Sequence, residues 1–442
     1  MKNDSNNIAL GRIDWIAVAL YVVLVLFGWI NIYSAAYDAH HPNIFDFGME
    51  YGRQAMWIGV SFFLGIVVLY IEGDFFNKFS PFIYGFFVLL LMLVLVIGKE
   101  VNGAKAWFGV GAFGIQPSEF SKIGVSLLLA KYISSTGAKF KTWRTRLIAA
   151  AIIGVPAALI LKQPDVGSLL TFVAFIFAMY REGLSGNILI IGIGSIVFGV
   201  LSIVSGAGTV DFPIFGEQSG SYLLIIIVLF IALIAWLFVR NFIVPRNRKT
   251  LYWIIAISTA ASVAFSFSVS YIVENVLEPH HKERIYVMLS MPVEREGAAY
   301  NSEMAKITVG SGGFAGKGFL NGPMTQNNYV PEQWTDFIFS AVAEEWGFLG
   351  SVTVIGLFVF LIIRIINMAE RQRSQFSRVY GYCVASIFFL HLMINVGMVL
   401  GLAPIIGIPL PFFSYGGSSL MAFTALYFIF LRLDAERLSV FR

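Results

Sequence analysis

Long apolar runs without a charged residue constrain the fold of this chain more than any other feature. Such runs extend over Trp15 to Tyr37, Phe79 to Gly98, Leu251 to Val273 and Phe412 to Leu431. A helix of about 20 apolar residues crosses the hydrocarbon core of a bilayer. Because 58% of the 442 residues are hydrophobic and only 13% are charged, an ordinary soluble domain is excluded. The sequence therefore predicts an all-α fold, a polytopic transmembrane helical bundle whose first run is a retained anchor.

Dividing the apolar regions into spans of about 20 residues predicts about twelve helices. They lie near residues 13–36, 52–72, 79–98, 118–134, 145–162, 166–181, 184–205, 220–240, 250–276, 336–364, 379–402 and 411–432. The region 145–181 is interrupted by Gln163-Pro164-Asp165, a pattern typical of broken helices that line a cavity. Cys383 is the only cysteine, which excludes an intrachain disulfide and a thiolate metal cluster. We expect one integral membrane domain over residues 1–442.

The distribution of basic residues predicts the side of the membrane on which each loop lies. An even number of spans places both termini on one side, and Lys and Arg collect in cytoplasmic loops. The basic connections on the side of the termini contain Lys139, Lys141, Arg144 and Arg146, then Arg240, Arg246, Arg248 and Lys249, then Arg371, Arg373 and Arg378. We therefore expect cytoplasmic termini, a large extracytoplasmic loop over residues 277–335, and Asp336 at the outer face.

Asp336 lies where that loop meets an apolar stretch that begins with Phe337-Ile338-Phe339. A carboxylate at the mouth of a membrane helix is costly to desolvate, which indicates a polar or catalytic setting. The alternative is a structural one, in which Thr335 caps the helix and Asp336 in the first turn favours the helix dipole. The local sequence leaves both interpretations open.

Glu119 and Lys122 near the start of the fourth predicted span also allow two interpretations. Their i, i+3 spacing permits a neutralising pair within the helix. A lysine is nevertheless disfavoured by the dipole in the first turn of a helix, which leaves room for an anionic ligand held by Lys122. His280 and His281 have no fixed geometry for a metal site and are expected at the surface.

A glycine-rich stretch, Gly310 to Gly318, lies late in the predicted outer loop. Closely spaced glycines allow backbone N–H groups to approach a phosphate, so an anion cradle is one interpretation. The other is a tight turn that packs against the membrane surface. Gly318 replaces the Ser or Thr of a nucleotide-binding P-loop and no strand precedes the segment, so the segment is not a P-loop, which argues against a nucleotide triphosphatase.

Five blocks of the sequence together resemble the SEDS family (shape, elongation, division and sporulation). The blocks are Gln116-Pro117-Ser118-Glu119 with Lys122; Gln163-Pro164-Asp165-Val166-Gly167; Gly310-Ser311-Gly312-Gly313 with Gly316-Lys317-Gly318; Pro331-Glu332 with Thr335-Asp336-Phe337-Ile338-Phe339 and Glu344-Glu345; and Pro409-Leu410-Pro411 with Ser414-Tyr415-Gly416-Gly417-Ser418. They follow the family's order and extend over nearly the whole chain. The run Gly318-Phe319-Leu320 is similar to the elongation branch rather than to the cell-division branch.

The resemblance implies a peptidoglycan glycosyltransferase that polymerises lipid II at the outer face of the bacterial cytoplasmic membrane and works with a class B penicillin-binding protein. Asp336 matches the family's essential aspartate and is the expected general base. The expected substrate-binding positions are Ser118, Glu119, Lys122, Asp165, Arg284, Lys317, Glu332 and Ser414. No cofactor and no metal ligand set is expected, although a divalent cation is an alternative to a basic side chain for neutralising the departing diphosphate. The expected partners include membrane lipids and no nucleic acid.

The sequence differs from the family pattern at two positions and in one segment, and two other functions are alternatives to the transferase. Ala106 and Trp334 stand where relatives commonly have a basic residue and a histidine, respectively. The family typically has ten spans, so the segment 184–249 is expected to be an inserted helical hairpin. A lipid II flippase and a non-catalytic scaffold for the penicillin-binding protein are the alternatives. Replacement of Asp336 distinguishes the flippase from the transferase, because a flippase tolerates the loss of a single carboxylate and a base-dependent transferase does not.

Overall fold

A computed structural model of the chain describes residues 12–101, 104–110, 113–135, 140, 142–212, 216–277, 279–289, 291 and 297–438. Internal contacts divide the chain into two compact units, one formed by Met1–Leu184 and Arg295–Arg442 and the other by Ser185–Glu294. The first unit contains all the residues of the candidate site except Arg284. The predicted single membrane domain and its inserted segment 184–249 stay predictions.

The first unit begins with seven helices and a small sheet. They are α1 Trp15–Ala35, α2 Glu50–Tyr70, α3 Gly73–Ile97, β1 Lys99–Val101, β2 Ala104–Val110, β3 Phe113–Ile115, α4 Pro117–Ser135, α5 Trp143–Leu161, α6 Val166–Thr171 and α7 Ala174–Arg181. The three strands pair antiparallel in the order β1-β2-β3.

The second unit consists mainly of three long helices. Its elements are α8 Gly186–Ala207, β4 Thr209–Phe212, β5 Gly216–Ser219, α9 Gly220–Phe242, α10 Pro245–Tyr271, a π-helical turn Ile272–Val276 and α11 Pro279–Met288. Ser202 on α8 and Ser266 on α10 are buried, and their hydroxyls are 2.9 Å apart. Most other side chains of these helices are apolar and exposed, as expected of helices that face lipid.

The chain then returns to the first unit and completes it. The remaining helices are α12 Ala298–Ser311, α13 Pro323–Gln326, α14 Ile338–Glu370, α15 Gln375–Val399 and α16 Gly417–Ala435. In α15 and α16 the most apolar windows are 78% and 89% buried, against 17% in α3. These two helices therefore form the centre of the first unit. Three helices, α11 to α13, lie within the predicted outer loop 277–335, in which residues 278, 290 and 292–296 are outside the described ranges.

Ten helices in the described part of the chain are long and apolar enough to cross a membrane. Two predicted spans are not among them. The predicted span 118–134 corresponds to α4, whose polar residues lower its hydropathy, and the predicted span 166–181 is broken into the short helices α6 and α7. The predicted break at Gln163-Pro164-Asp165 is present, because α5 ends at Leu161 and α6 begins at Val166. The expected number of about twelve spans is therefore approximate.

An ion-pair cluster connects α1, α14 and α16. Asp14 caps α1 by accepting a hydrogen bond from the backbone N–H of Ala17 at 3.1 Å. Its carboxylate also accepts from Arg364 at 2.7 Å and from Arg371 at 3.2 Å, and Arg371 donates to Asp434 on α16 at 2.9 Å. Burial opposes ionisation of Asp14, but the hydrogen bond from Arg364 holds its pKa below the ordinary value.

Helix α14 is interrupted near its start by Gly347, whose φ of 66° and ψ of −159° are not helical. The glycine-rich segment Gly312 to Gly318 packs into this break. The backbone N–H groups of Lys317 and Gly318 donate to the carbonyls of Glu344 and Glu345, each at 3.0 Å. In return, the N–H of Phe348 donates to the carbonyl of Gly313 at 2.9 Å. The two segments thus satisfy the backbone groups that the helix break exposes.

Candidate active site

Asp336 lies in a turn immediately before α14 and its side chain is half-buried. The helix begins at Ile338, and Phe337 occupies the N-cap position without a side-chain hydrogen bond. Thr335 does not cap the helix, because its hydroxyl donates to the carbonyl and the carboxylate of Glu332, both at 3.0 Å. The helix-cap interpretation of Thr335 and Asp336 was therefore wrong, and the acid precedes the helix instead of lying in its first turn.

Two buried amide side chains anchor the turn that carries Asp336. Gln333 donates to the carbonyl of Ala35 at the end of α1 at 2.7 Å and to that of Thr325 at 2.8 Å. On the other side, Nδ2 of Asn395 on α15 donates to the carbonyl of Asp336 at 2.8 Å. The backbone around the carboxylate is thus held from both directions.

The segment between α15 and α16 forms a wall beside the Asp336 carboxylate. Gly407 has a φ of +75°, and a Cβ at this position would lie 3.1 Å from Oδ2 of Asp336. A Cβ on Gly167 in α6 would lie 2.8 Å from the carbonyl oxygen of Ile406. The broken helix therefore packs directly against the loop that touches the carboxylate, and glycine at both positions makes these approaches possible.

Asp165 and Ser118 belong to a hydrogen-bond network behind that loop. Asp165 caps α6 by accepting from the backbone N–H of Ser168 at 3.0 Å. Its other oxygen accepts from Gln116 at 2.8 Å, and the hydroxyl of Ser118 is 3.1 Å from that of Ser168. These contacts connect the start of α4 to the start of α6, and they occupy the polar atoms of both predicted substrate-binding residues.

Glu119 and Lys122 form a buried ion pair within α4. Nζ of Lys122 is 2.9 Å from both carboxylate oxygens of Glu119, and the two side chains are 1% and 4% exposed. Nζ also lies 3.2 Å from Nε2 of His391. Nδ1 of His391 donates to the carbonyl of Ile387 at 2.8 Å, which leaves Nε2 as an acceptor. All three N–H donors of Lys122 are thus occupied in this structure.

His391 and Asn395 connect this ion pair to the candidate base. They are spaced i, i+4 on α15, so they lie on one face of the helix, about 6 Å apart along its axis. Lys122 contacts the first and Asp336 contacts the second. Polar residues from α4 and from the turn before α14 therefore contact neighbouring positions on one face of α15 inside the first unit.

The remaining predicted site residues occupy different settings. Lys317 is exposed, and its backbone N–H donates to the carbonyl of Glu344 rather than being open to an anion; the N–H of Gly318 donates to the carbonyl of Glu345. The structure thus favours the packed turn over the phosphate cradle. Glu332 is exposed, with a φ of +55° in the turn that carries Asp336. Ser414 is buried and accepts from the backbone N–H of Leu410 at 2.9 Å. Arg284 lies on α11 in the second unit.

Two residues with polar side chains and one glycine at the site were missed by the sequence interpretation. His391 and Asn395 interrupt an otherwise apolar helix, and polar residues at membrane depth are a signal of function that would have identified them. Gly407 carries no such signal, because its role depends on the approach of a segment distant in sequence. In the described ranges, no group of three or more His, Cys, Asp or Glu side chains is arranged to hold a metal ion.

Comparison with known proteins assigns the chain to a family. The sequence profile of the FTSW_RODA_SPOVE family, described as cell cycle proteins, matches residues 14–212 and 220–438. The peptidoglycan glycosyltransferase RodA of Treponema pallidum (strain Nichols) is 30% identical over 438 residues, which cover 96% of this chain and 98% of that protein. The peptidoglycan glycosyltransferase MrdB of Escherichia coli (strain K12) is 27% identical over 427 residues, covering 96% and 94%.

Solved structures show the same fold. A chain from a peptidoglycan synthase complex that coordinates polymerization and crosslinking has a TM-score of 0.67 and 25% identity, covering 97% of this chain and 99% of that chain. The Rod shape determining protein RodA of Thermus thermophilus has a TM-score of 0.60 and 24% identity, covering 97% and 98%. With ten membrane-length helices in its described ranges and with bacterial relatives, the chain is a multi-pass inner-membrane protein. It belongs to the FtsW/RodA/SpoVE family, the SEDS family that its five sequence blocks resemble.

Proposed function

We propose that this protein is a peptidoglycan glycosyltransferase that polymerises lipid II, with Asp336 as the general base. The observation that carries the proposal is the setting of Asp336. Its half-buried side chain lies in the turn immediately before the membrane-length helix α14, ahead of the N-cap residue Phe337, and its backbone is held by Asn395. The names of the relatives, peptidoglycan glycosyltransferases RodA and MrdB, support the reaction class.

The chemistry requires one base and neutralisation of the leaving group. As the acceptor hydroxyl attacks the anomeric carbon of the donor sugar, its proton passes to the Asp336 carboxylate. The bond between that carbon and the lipid diphosphate breaks, and its electron pair leaves with the diphosphate. Because diphosphate is a good leaving group, nearby positive charge assists its departure more than a proton does.

Lys122 is our candidate for part of that positive charge. It contacts His391, which lies one helical turn of α15 from Asn395, the residue that holds the backbone of Asp336. In the present arrangement Glu119 neutralises it, so a diphosphate would have to compete with this carboxylate. The exposed Lys317 is the further basic candidate within the first unit, and the predicted role of Arg284 on α11 stays a prediction.

The other predicted binding residues divide into two groups. Ser118, Asp165 and Ser414 form hydrogen bonds within the protein, and we propose that they shape the floor of the site. Glu332 is exposed in the same turn as Asp336, and we propose that it borders the entrance for the acceptor.

Lipid II polymerisation by purified protein tests the role of Asp336. Asp336→Asn keeps the size of the side chain and removes its basicity, so we expect polymer formation to fall by about 100-fold or more. Lipid II binding and thermal stability should stay near those of the unaltered protein. Asp38→Asn, in the loop after α1, is a matched control and should polymerise normally. Near-normal polymerisation by folded Asp336→Asn would remove the catalytic assignment and favour the flippase.

We propose that the protein acts together with a class B penicillin-binding protein. The similarity to a chain from a peptidoglycan synthase complex that coordinates polymerization and crosslinking supports this partner. Co-purification of the two proteins, with lipid II polymerisation measured with and without the partner, tests it. Failure to form a complex at micromolar concentrations would contradict the proposal.

We also propose that both termini are cytoplasmic and that the loop 277–335 is extracytoplasmic. The basic connections on the side of the termini support this orientation. Asn327 is exposed and Cys383, the only cysteine, is buried, so an introduced Asn327→Cys provides a label site with little background. A membrane-impermeant thiol reagent should label it in intact spheroplasts. Labelling only after the membrane is disrupted would reverse the orientation.

A further inference from the structure

Asn395 makes two hydrogen bonds, one to the backbone of Asp336 and one to the loop between α15 and α16. Its side chain is fully buried on α15, with 0% exposure. Nδ2 donates to the carbonyl of Asp336 at 2.8 Å and to the carbonyl of Ile408 at 2.7 Å. Both partners are acceptors, so the assignment of the nitrogen to this position follows from the contacts themselves.

The two carbonyls belong to the two segments that define the position of the carboxylate. One is the backbone of the candidate base. The other is next to Gly407, which approaches Oδ2 of Asp336 closely enough that a Cβ would lie 3.1 Å away. A single NH₂ group therefore sets the separation between the turn that carries the base and the loop that forms its wall.

We propose that Asn395 is the positioning residue for Asp336, a role that rests on the proposed function of Asp336 as the base. The amide does not touch the reacting atoms. It fixes the backbone from which the carboxylate projects, and proton transfer depends steeply on where that carboxylate lies. Oδ1 of Asn395 is buried and has no hydrogen-bond partner in the described part of the chain, so the two donors account for the polar contacts of the side chain.

A purely structural role for Asn395 makes a different prediction from a positioning role. If the amide only stabilises the fold, its loss lowers thermal stability while each folded molecule keeps its turnover rate. If it positions the base, kcat falls in molecules that are folded and that still bind lipid II. Measuring the change in kcat and the change in KM separately for each variant therefore distinguishes the two roles.

The experiment compares three variants with the unaltered protein. Asn395→Leu removes both N–H donors and keeps a side chain of similar size. In Asn395→Asp, burial favours the protonated acid, which retains one donor. Asn31→Leu is the matched control, because Asn31 is equally buried and its amide bonds Phe27 and Trp346 on the α1–α14 side of the first unit. Turnover is measured per folded molecule, with the folded fraction taken from size-exclusion chromatography.

We expect kcat to fall by about 10- to 100-fold in Asn395→Leu, the range that displacement of a catalytic group produces. KM for lipid II should change by less than about threefold. The kcat of Asn395→Asp should lie between those of Asn395→Leu and the unaltered protein, and Asn31→Leu should retain its kcat.

Unchanged kcat per folded Asn395→Leu or Asn395→Asp molecule would overturn the proposal, as would an equal loss of kcat in Asn31→Leu. If Asn395→Leu does not fold, the kcat of Asn395→Asp decides. Active Asp336→Asn would refute the base itself, whereas inactive Asp336→Asn with fully active Asn395 variants would refute only the positioning role.

Discussion

Gly407 lies against the carboxylate of Asp336, and a Cβ at position 407 would be 3.1 Å from Oδ2. The contact joins the loop before α16 to the turn before α14, two segments that are distant in sequence. It is tighter than an ordinary van der Waals contact to a side-chain carbon, so a methyl group there would displace either the loop or the carboxylate. The absence of a side chain at Gly407 is therefore part of the geometry of the candidate base.

Gly407→Ala should lower polymerisation more than stability. The φ of +75° costs an L-residue about 1–2 kcal/mol, and the methyl group requires either the loop or Oδ2 of Asp336 to shift by a few tenths of an ångström. A misplacement of about 1 Å costs up to about 100-fold in rate, so for this smaller shift we expect kcat to fall by about three- to tenfold. The measurement is lipid II polymerisation by purified protein, with thermal unfolding of the same sample.

Gly401→Ala provides the control for Gly407→Ala. Gly401 lies in the same loop with the same φ of +75°, but its Cβ would meet the flexible end of Lys306 instead of Asp336. The two variants should lose similar stability, while only Gly407→Ala loses kcat. Equal kcat in the two proteins would show that the contact with the carboxylate has no catalytic consequence.

The Glu119–Lys122 pair predicts a difference between single and double variants. Lys122→Met leaves the buried carboxylate of Glu119 without its partner, which should cost about 3–5 kcal/mol. Glu119→Leu combined with Lys122→Met removes both charges, and stability should largely return. If Lys122 assists the departing diphosphate, polymerisation by the double variant should remain at least about tenfold below normal.

Thermal unfolding and polymerisation of both proteins test this prediction together. If activity recovers in parallel with stability, the Glu119–Lys122 pair only stabilises the fold, and Lys122 has no role in catalysis. A single variant as stable as the unaltered protein would instead contradict the buried ion pair seen between α4 residues.

Much of the fold and the candidate base followed from the sequence because both depend on local properties. The length of an apolar run determines whether a helix can cross a membrane, so each predicted helix corresponds to a helix or to a pair of short helices. The cost of burying a charge makes Asp336 conspicuous in any such chain. Neither inference requires knowledge of how distant segments pack.

The surroundings of Asp336 could not be predicted from the sequence, because they depend on contacts between segments that are distant in sequence. Asn395 and Gly407 reach the base only after α14 and α15 have packed, and no local pattern records that approach. The apolar pattern also predicted a continuous helix from 336, whereas α14 begins at Ile338 and breaks at Gly347. A glycine with apolar neighbours does not reveal whether its φ is helical.

The break at Gly347 leads to a prediction about stability. A Cβ on Gly347 would lie 2.3 Å from the backbone N of Gly316, and the φ of +66° already disfavours an L-residue. Gly347→Ala must therefore push the segment Gly312 to Gly318 out of the helix break and weaken the hydrogen bonds that hold it. Adding a φ penalty of about 1–2 kcal/mol to the loss of hydrogen bonds worth about 0.5–1.5 kcal/mol each, we expect destabilisation by at least about 2 kcal/mol.

Gly356→Ala is the matched control for Gly347→Ala, since Gly356 lies further along the same helix and its Cβ would meet nothing within 4 Å. Replacing a glycine in a helix interior by alanine should stabilise the protein by about 0.5–1 kcal/mol. The two variants should therefore shift the thermal unfolding midpoint in opposite directions in the same detergent. If Gly347→Ala unfolds at the same temperature as Gly356→Ala, the segment Gly312 to Gly318 is not packed into the break, and its backbone N–H groups would again be available to an anion.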